Sequence, residues 1–81
     1  MRRGRKGDWQ ITNIGVGERP FQAFEMGENR AFRFRRSLAS EAEVQAFVQE
    51  RHLSLLETGT HGTWPSSLYR PQTRRRSSRR S

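Results

Sequence analysis

Cysteine is absent from all 81 residues, and lysine occurs once, at Lys6. The first absence excludes disulfides, thiolate nucleophiles and cysteine-ligated zinc or iron–sulfur centres. A secreted domain this small ordinarily depends on disulfides. The expected setting is therefore the cytoplasm or nucleoid, or the interior of a virus particle, with a nuclear address left open by composition. Long apolar runs are also missing. No window approaches the roughly 18 residues of a membrane helix. "MRRGRK" has the charge of a signal-peptide start, but no apolar stretch follows it. Nor is there a phosphate-cradling loop, a nucleophile beside a base, or a convincing carboxylate pair. His52 closes a helical pattern and His61 sits in the glycine loop "TGTHGT". The sequence thus predicts no enzyme, no cofactor and no metal site.

What the chain has instead is arginine, fifteen of its sixteen cations, for a net charge of +8. A guanidinium presents a planar fork of donors that matches phosphate and guanine edges, whereas lysine offers a point charge. The cations are concentrated at the ends. Residues 1–7 carry Arg2, Arg3, Arg5 and Lys6, and residues 70–81 carry Arg70, Arg74, Arg75, Arg76, Arg79 and Arg80. Residues 8–69 hold six arginines against eight acids. The layout predicts a flexible basic arm (1–7), one small slightly acidic domain (8–69) and an Arg/Ser-rich tail (70–81). Such arms suit a polyanion.

Inside the domain, "DWQIT" and "AFRFRR" alternate apolar and polar residues, while "FQAFEM" puts Phe21 and Ala23 on one face and Phe24 and Met26 on the other, a break that a bulge or a twist would reconcile; the three segments predict three strands. Glycine-rich "NIGVGERP" and "GENR" separate them. "SLASEAEVQAFVQERH" then changes to helical spacing, opened by a Ser40-to-Glu43 capping box with Val44, Phe47 and Val48 on one stripe. Leu53, Leu55 and Leu56 either prolong the helix or start a short strand, and Gly59, Gly62 and Pro65 are expected to end regular structure. The predicted fold is α+β: a three-stranded antiparallel sheet packed on one C-terminal helix, β-β-β-α, with disordered basic termini. Its expected core is Trp9, Ile11, Phe21, Ala23, Phe32, Phe34, Val44, Phe47 and Val48, with some of Leu53 to Leu56.

Strand phase places Arg33 and Arg35 opposite Phe32 and Phe34, on a face expected to include Gln10, Thr12 and Gln22. Arginine reads guanine and glutamine reads adenine in a major groove, so that face is a candidate base reader. The competing interpretation is a solvated strand face. Arg3 and Arg5 beside glycines fit a narrow minor groove. Trp64 and Tyr69 either stack on unpaired bases or pin the C-terminal segment to the fold. "RRRSSRR" resembles arginine–serine segments, in which phosphorylation of Ser77 and Ser78 would cancel charge.

The stretch from Gly7 to His52 resembles the arm-type DNA-binding domain of phage tyrosine integrases and is similar in layout to plant AP2 domains. The features that carry the resemblance are Trp9 in the first strand, Arg33 and Arg35 in the third, and Glu41-Ala42-Glu43 with Ala46 at the helix start. The resemblance implies three strands and a helix that bind DNA. It includes no recombinase catalytic domain, and the first two strands carry fewer basic residues than that pattern.

The expected function is a small non-enzymatic nucleic-acid-binding protein, duplex DNA before RNA. Arg2, Arg3, Arg5, Lys6, Arg70, Arg74, Arg75, Arg76, Arg79 and Arg80 would lie on phosphates, with Arg33 and Arg35 on bases. A phage or viral origin fits a compact basic protein. The alternative is a protein-interaction subunit or inhibitor in a phage, viral or nucleoprotein assembly. Its arms would hold nucleic acid without sequence preference or dock on an acidic protein surface.

Overall fold

The computed structural model describes residues 4–72. The elements run β1 (Trp9–Asn13), β2 (Phe21–Met26), β3 (Phe32–Leu38), α1 (Glu41–Glu50), β4 (Leu53–His61) and β5 (Trp64–Pro71). All five strands form one antiparallel sheet in the order β3-β2-β1-β5-β4. The first three strands form the meander that alternation predicts. The three-stranded β-β-β-α expectation is nevertheless wrong: the sheet has five strands, and the helix lies mid-chain. It links β3 to β4, the two opposite edges of the sheet, and so crosses one face.

The error lay in residues 53–71. Gly62 does not end regular structure. It turns a hairpin in which His61 faces Trp64 across a two-residue loop. Its φ of 66° suits the first central position of a type II′ turn, which glycine occupies without steric cost. Pro65 is tolerated because β5 meets β1 only from Ser66 onward, so its missing N–H removes no bond from that ladder. β5 then inserts beside β1 and makes β1 central.

The helix starts as predicted. Ser40 Oγ accepts from the Glu43 N–H at 3.3 Å, and Glu43 Oε1 accepts from the Ala39 N–H at 2.9 Å. The helix stops at Glu50, with Arg51 as its cap and His52 turned to φ 55°. Val44, Phe47 and Val48 pack on Trp9, Ile11, Ala23, Leu38, Leu53 and Tyr69, with Phe21 beside them. Trp9 meets Phe47 edge-on at 5.0 Å between ring centroids.

Phe32 and Phe34 are not in this core. The pairing of β2 with β3 slips between Ala23 and Phe24: Ala23 faces Arg36 while Phe24 faces Phe34. Arg35 is the extra residue of a β-bulge, which reverses the face assignment of everything before it. Rows of directly opposed residues run across the sheet as a result. Arg33, Glu25, Trp9, Tyr69 and Leu55 form a row on the helix side. Phe34, Phe24, Gln10, Leu68 and Glu57 form the next row, on the opposite side.

That opposite side has no second layer among the described residues, yet Gln10, Thr12, Met26, Ser66 and Leu68 on it are buried. Curvature explains this. His61 of β4 and Phe32 of β3 line one pocket with Gln10 and Phe24, although β3 and β4 are opposite edges. In a flat sheet those edges would stand roughly 19 Å apart. A second bulge lies in β4 between Leu55 and Glu57. Bulges bend and overtwist strands, and here they curl the sheet into a trough.

Candidate nucleic-acid interface

Antiparallel pairing brings the two ends of the described chain together. Trp9 faces Tyr69, so the residues before β1 and after β5 lie side by side. Asp8 and Arg70 hold them there: Arg70 Nε and Nη2 donate to Asp8 Oδ1 and Oδ2, both at 2.9 Å. Asp8 is 1 % exposed. Burial pushes its carboxyl up, but the hydrogen bonds from Arg70 and the Arg5 N–H and the charges of both arginines outweigh it. The net position is below the usual carboxylate value, and Arg70 is correspondingly raised by that bond. A two-pronged guanidinium–carboxylate pair fixes direction as well as distance.

Residues 4–8 form a tight turn on the same end. The Asp8 N–H donates to Arg5 O, the Arg5 N–H donates to Asp8 Oδ2, and the Gly7 N–H donates to Met26 O. Lys6 reaches Glu28 at 3.0 Å. β2 ends here and β3 begins here, so Arg30, Arg33 and Arg35 join this end, as does Arg51 where α1 stops. Lys6, Arg33 and Arg35 line one cleft with Glu25 and Glu28. Arg35 pairs with Glu25 at 3.3 Å, and among the described residues no ion pair engages Arg33. Of the described cations other than histidine, Arg19 and Arg36 stand elsewhere. The helix start, with Glu41 and Glu43, points to the other end.

The sequence-predicted site therefore divides. Arg5, Lys6, Arg33, Arg35 and Arg70 gather at one end of the sheet. Arg70 is committed to Asp8. Arg2, Arg3, Arg74, Arg75, Arg76, Arg79 and Arg80 lie outside the described residues. Arg33 does not share a face with Gln10, Thr12 and Gln22. The bulge turns Arg33 to the helix side, and Phe34 takes the place beside Phe24 and Gln10. Gln10 and Thr12 are bound internally instead: Gln10 Nε2 donates to Ser66 Oγ at 3.0 Å, and Thr12 Oγ1 lies 2.9 Å from the same oxygen. Register therefore keeps Arg33 from forming one face with Gln10, Thr12 and Gln22.

Arg36, which sequence reasoning missed, and Arg51, which helical spacing puts in line with Val44, Phe47 and Val48, are packing residues. Their guanidinium carbons lie 5.4 and 5.1 Å from the centre of the Phe47 ring, and Arg51 also covers Trp9 at 5.2 Å. Here arginine stems and heads cover core aromatics. Among the described residues, no three His, Asp or Glu side chains cluster as a metal site, and no helix is long and apolar enough to cross a membrane. Compared with known proteins, the chain matches no family model, no curated protein and no solved structure.

Proposed function

We propose that the chain is a small non-enzymatic nucleic-acid-binding protein that meets phosphates with one basic pole. The observation that carries this reading is the convergence at the Asp8–Arg70 clamp. Gly4 and Gln72, from which the two arginine-rich segments continue, belong to the end that already holds Arg5, Lys6, Arg30, Arg33, Arg35 and Arg51. Cations collected at one end sum their fields, whereas cations spread over two ends would not. Phosphate contact of this kind supplies affinity and orientation without sequence preference.

Binding of the full chain to labelled duplex DNA, single-stranded DNA and RNA, followed by anisotropy through a salt series, tests the proposal. Neutralising several phosphates should cost roughly a thousandfold or more in affinity between about 50 and 200 mM salt. Replacing Lys6 and Arg33 with alanine together should flatten the log–log salt slope by about 1–2. No binding to any of the three at the lowest salt would falsify it. The surplus of acids over arginines in residues 8–69 favours one rival, a protein-docking subunit. That rival gains if the chain binds an acidic protein surface and ignores nucleic acid.

A further inference from the structure

The trough on the side of the sheet away from the helix holds a pocket of about 320 Å³, lined by Gln10, Phe24, Phe32 and His61. That volume sits at the lower end of the range for small-ligand sites. Its walls are mainly aromatic. Phe34 meets Phe24 edge-on at 5.8 Å and remains 53 % exposed. On the opposite edge His61 faces Trp64, which is 44 % exposed. A domain this small gains stability by covering such rings, and this one leaves them open.

One wall of the pocket is also a wall of the basic pole. Gly4 packs so closely on Phe32 that a Cβ there would lie 3.1 Å from Phe32 Cζ. The next residues are Arg5 and Lys6. Inside the pocket, Gln10 presents an amide. Among the described residues, its side chain makes one bond, from Nε2 to Ser66 Oγ. An amide has a second N–H and an accepting oxygen.

We propose that this pocket receives an unstacked nucleobase, so that the nucleic acid held at the basic pole is single-stranded at that point. The inference rests on the nucleic-acid reading above. Aromatic faces beside a cationic surface are the combination that binds single strands, with rings stacking on bases and cations following phosphates. A base in a duplex is paired and stacked and cannot enter. The Gln10 amide is placed to meet a base edge rather than a purely aliphatic ligand.

The test compares three probes with the full chain: a single-stranded oligothymidylate, an abasic strand of equal length and charge, and a duplex. The oligothymidylate should bind more tightly than the abasic strand, and the difference should persist as salt rises. Phe34→Ala, at an exposed position, should weaken oligothymidylate binding by roughly 5- to 100-fold and leave abasic binding unchanged. Fluorophenylalanine labelling needs no substitution. With five phenylalanines in the chain, the resonances of Phe24, Phe32 and Phe34 should move with oligothymidylate and stay fixed with the abasic strand. Equal affinity for the base-bearing and abasic strands overturns the pocket proposal and leaves the basic pole standing. Failure to bind all three probes overturns the pocket proposal, and failure to bind RNA as well overturns the nucleic-acid reading. Phe34→Ala that breaks up a dimer in sedimentation while leaving strand preference unchanged assigns the trough to a second copy and also overturns the proposal.

Discussion

Asp8 and Arg70 are 62 positions apart and share a two-pronged ion pair with both bonds at 2.9 Å. The pair joins the turn before the central strand to the end of its neighbour. It therefore fastens both ends of the fold at one point.

Asp8→Asn should destabilise the domain by about 2–3 kcal/mol at neutral pH, because it leaves a buried site with its charge partner unmatched. The carboxyl is held below its usual value of 3.8. Its contribution is complete above that value and disappears as pH falls through the lower native one. Urea unfolding of both proteins should show a constant gap from neutral pH down to about 5, closing below about 4. A gap that stays open at pH 2 would contradict this account.

Phe47→Ala should be close to unfolding the protein. The ring is 2 % exposed and packs on Trp9 beneath Arg36 and Arg51. Removing a buried Phe costs about 3–5 kcal/mol, which rivals the roughly 4–10 kcal/mol expected of some seventy ordered residues. Circular dichroism and Trp fluorescence at 25 °C would register the loss.

Deleting Arg35 should keep the faces of β3 unchanged. Arg36 would then follow Phe34 directly, so regular pairing with β2 leaves Phe32 and Phe34 on the side away from the helix and Arg36 and Leu38 on the helix side. Arg35→Ala keeps the bulge and removes an exposed ion pair, so its effect should stay within about 0.5 kcal/mol. A deletion variant that loses the folded state, seen as a collapse of its melting temperature beside that of Arg35→Ala, would refute Arg35 as the extra residue.

Gly62→Ala isolates backbone strain. Nothing lies within 4 Å of a Cβ built there, and φ is 66°. The expected cost is about 1 kcal/mol from the left-handed conformation alone, read as a lower denaturation midpoint with unchanged slope.

Local chemistry was legible along the chain. Alternation marked β1 and most of β3, and β2 was recognisable as an apolar segment between turns despite its broken phase. Ser40 and Glu43 marked the helix start, and Trp9, Ile11, Val44 and Phe47 were recognisable as core. The hairpin of β4 and β5 was missed because Gly59, Gly62 and Pro65 have the composition of a breaker, and their tolerance depends on which neighbour each strand has. The faces of Phe32, Phe34 and Arg33 were misassigned because the bulge lies in β3, where Phe and Arg alternate without a break, whereas the break in alternation falls in β2. The bulge exists only in the pairing of two strands.

The sequence by itself determined the elements' local character and the excess of arginine at both ends, since propensity, periodicity and charge belong to residues and their near neighbours. Tertiary structure decided that those two ends meet at one pole, that β1 is central, and that three phenylalanines line an open trough. Those outcomes depend on long-range strand pairing and on two single-residue register shifts. Each shift exchanges one face of a strand for the other, because side chains alternate with a period of two.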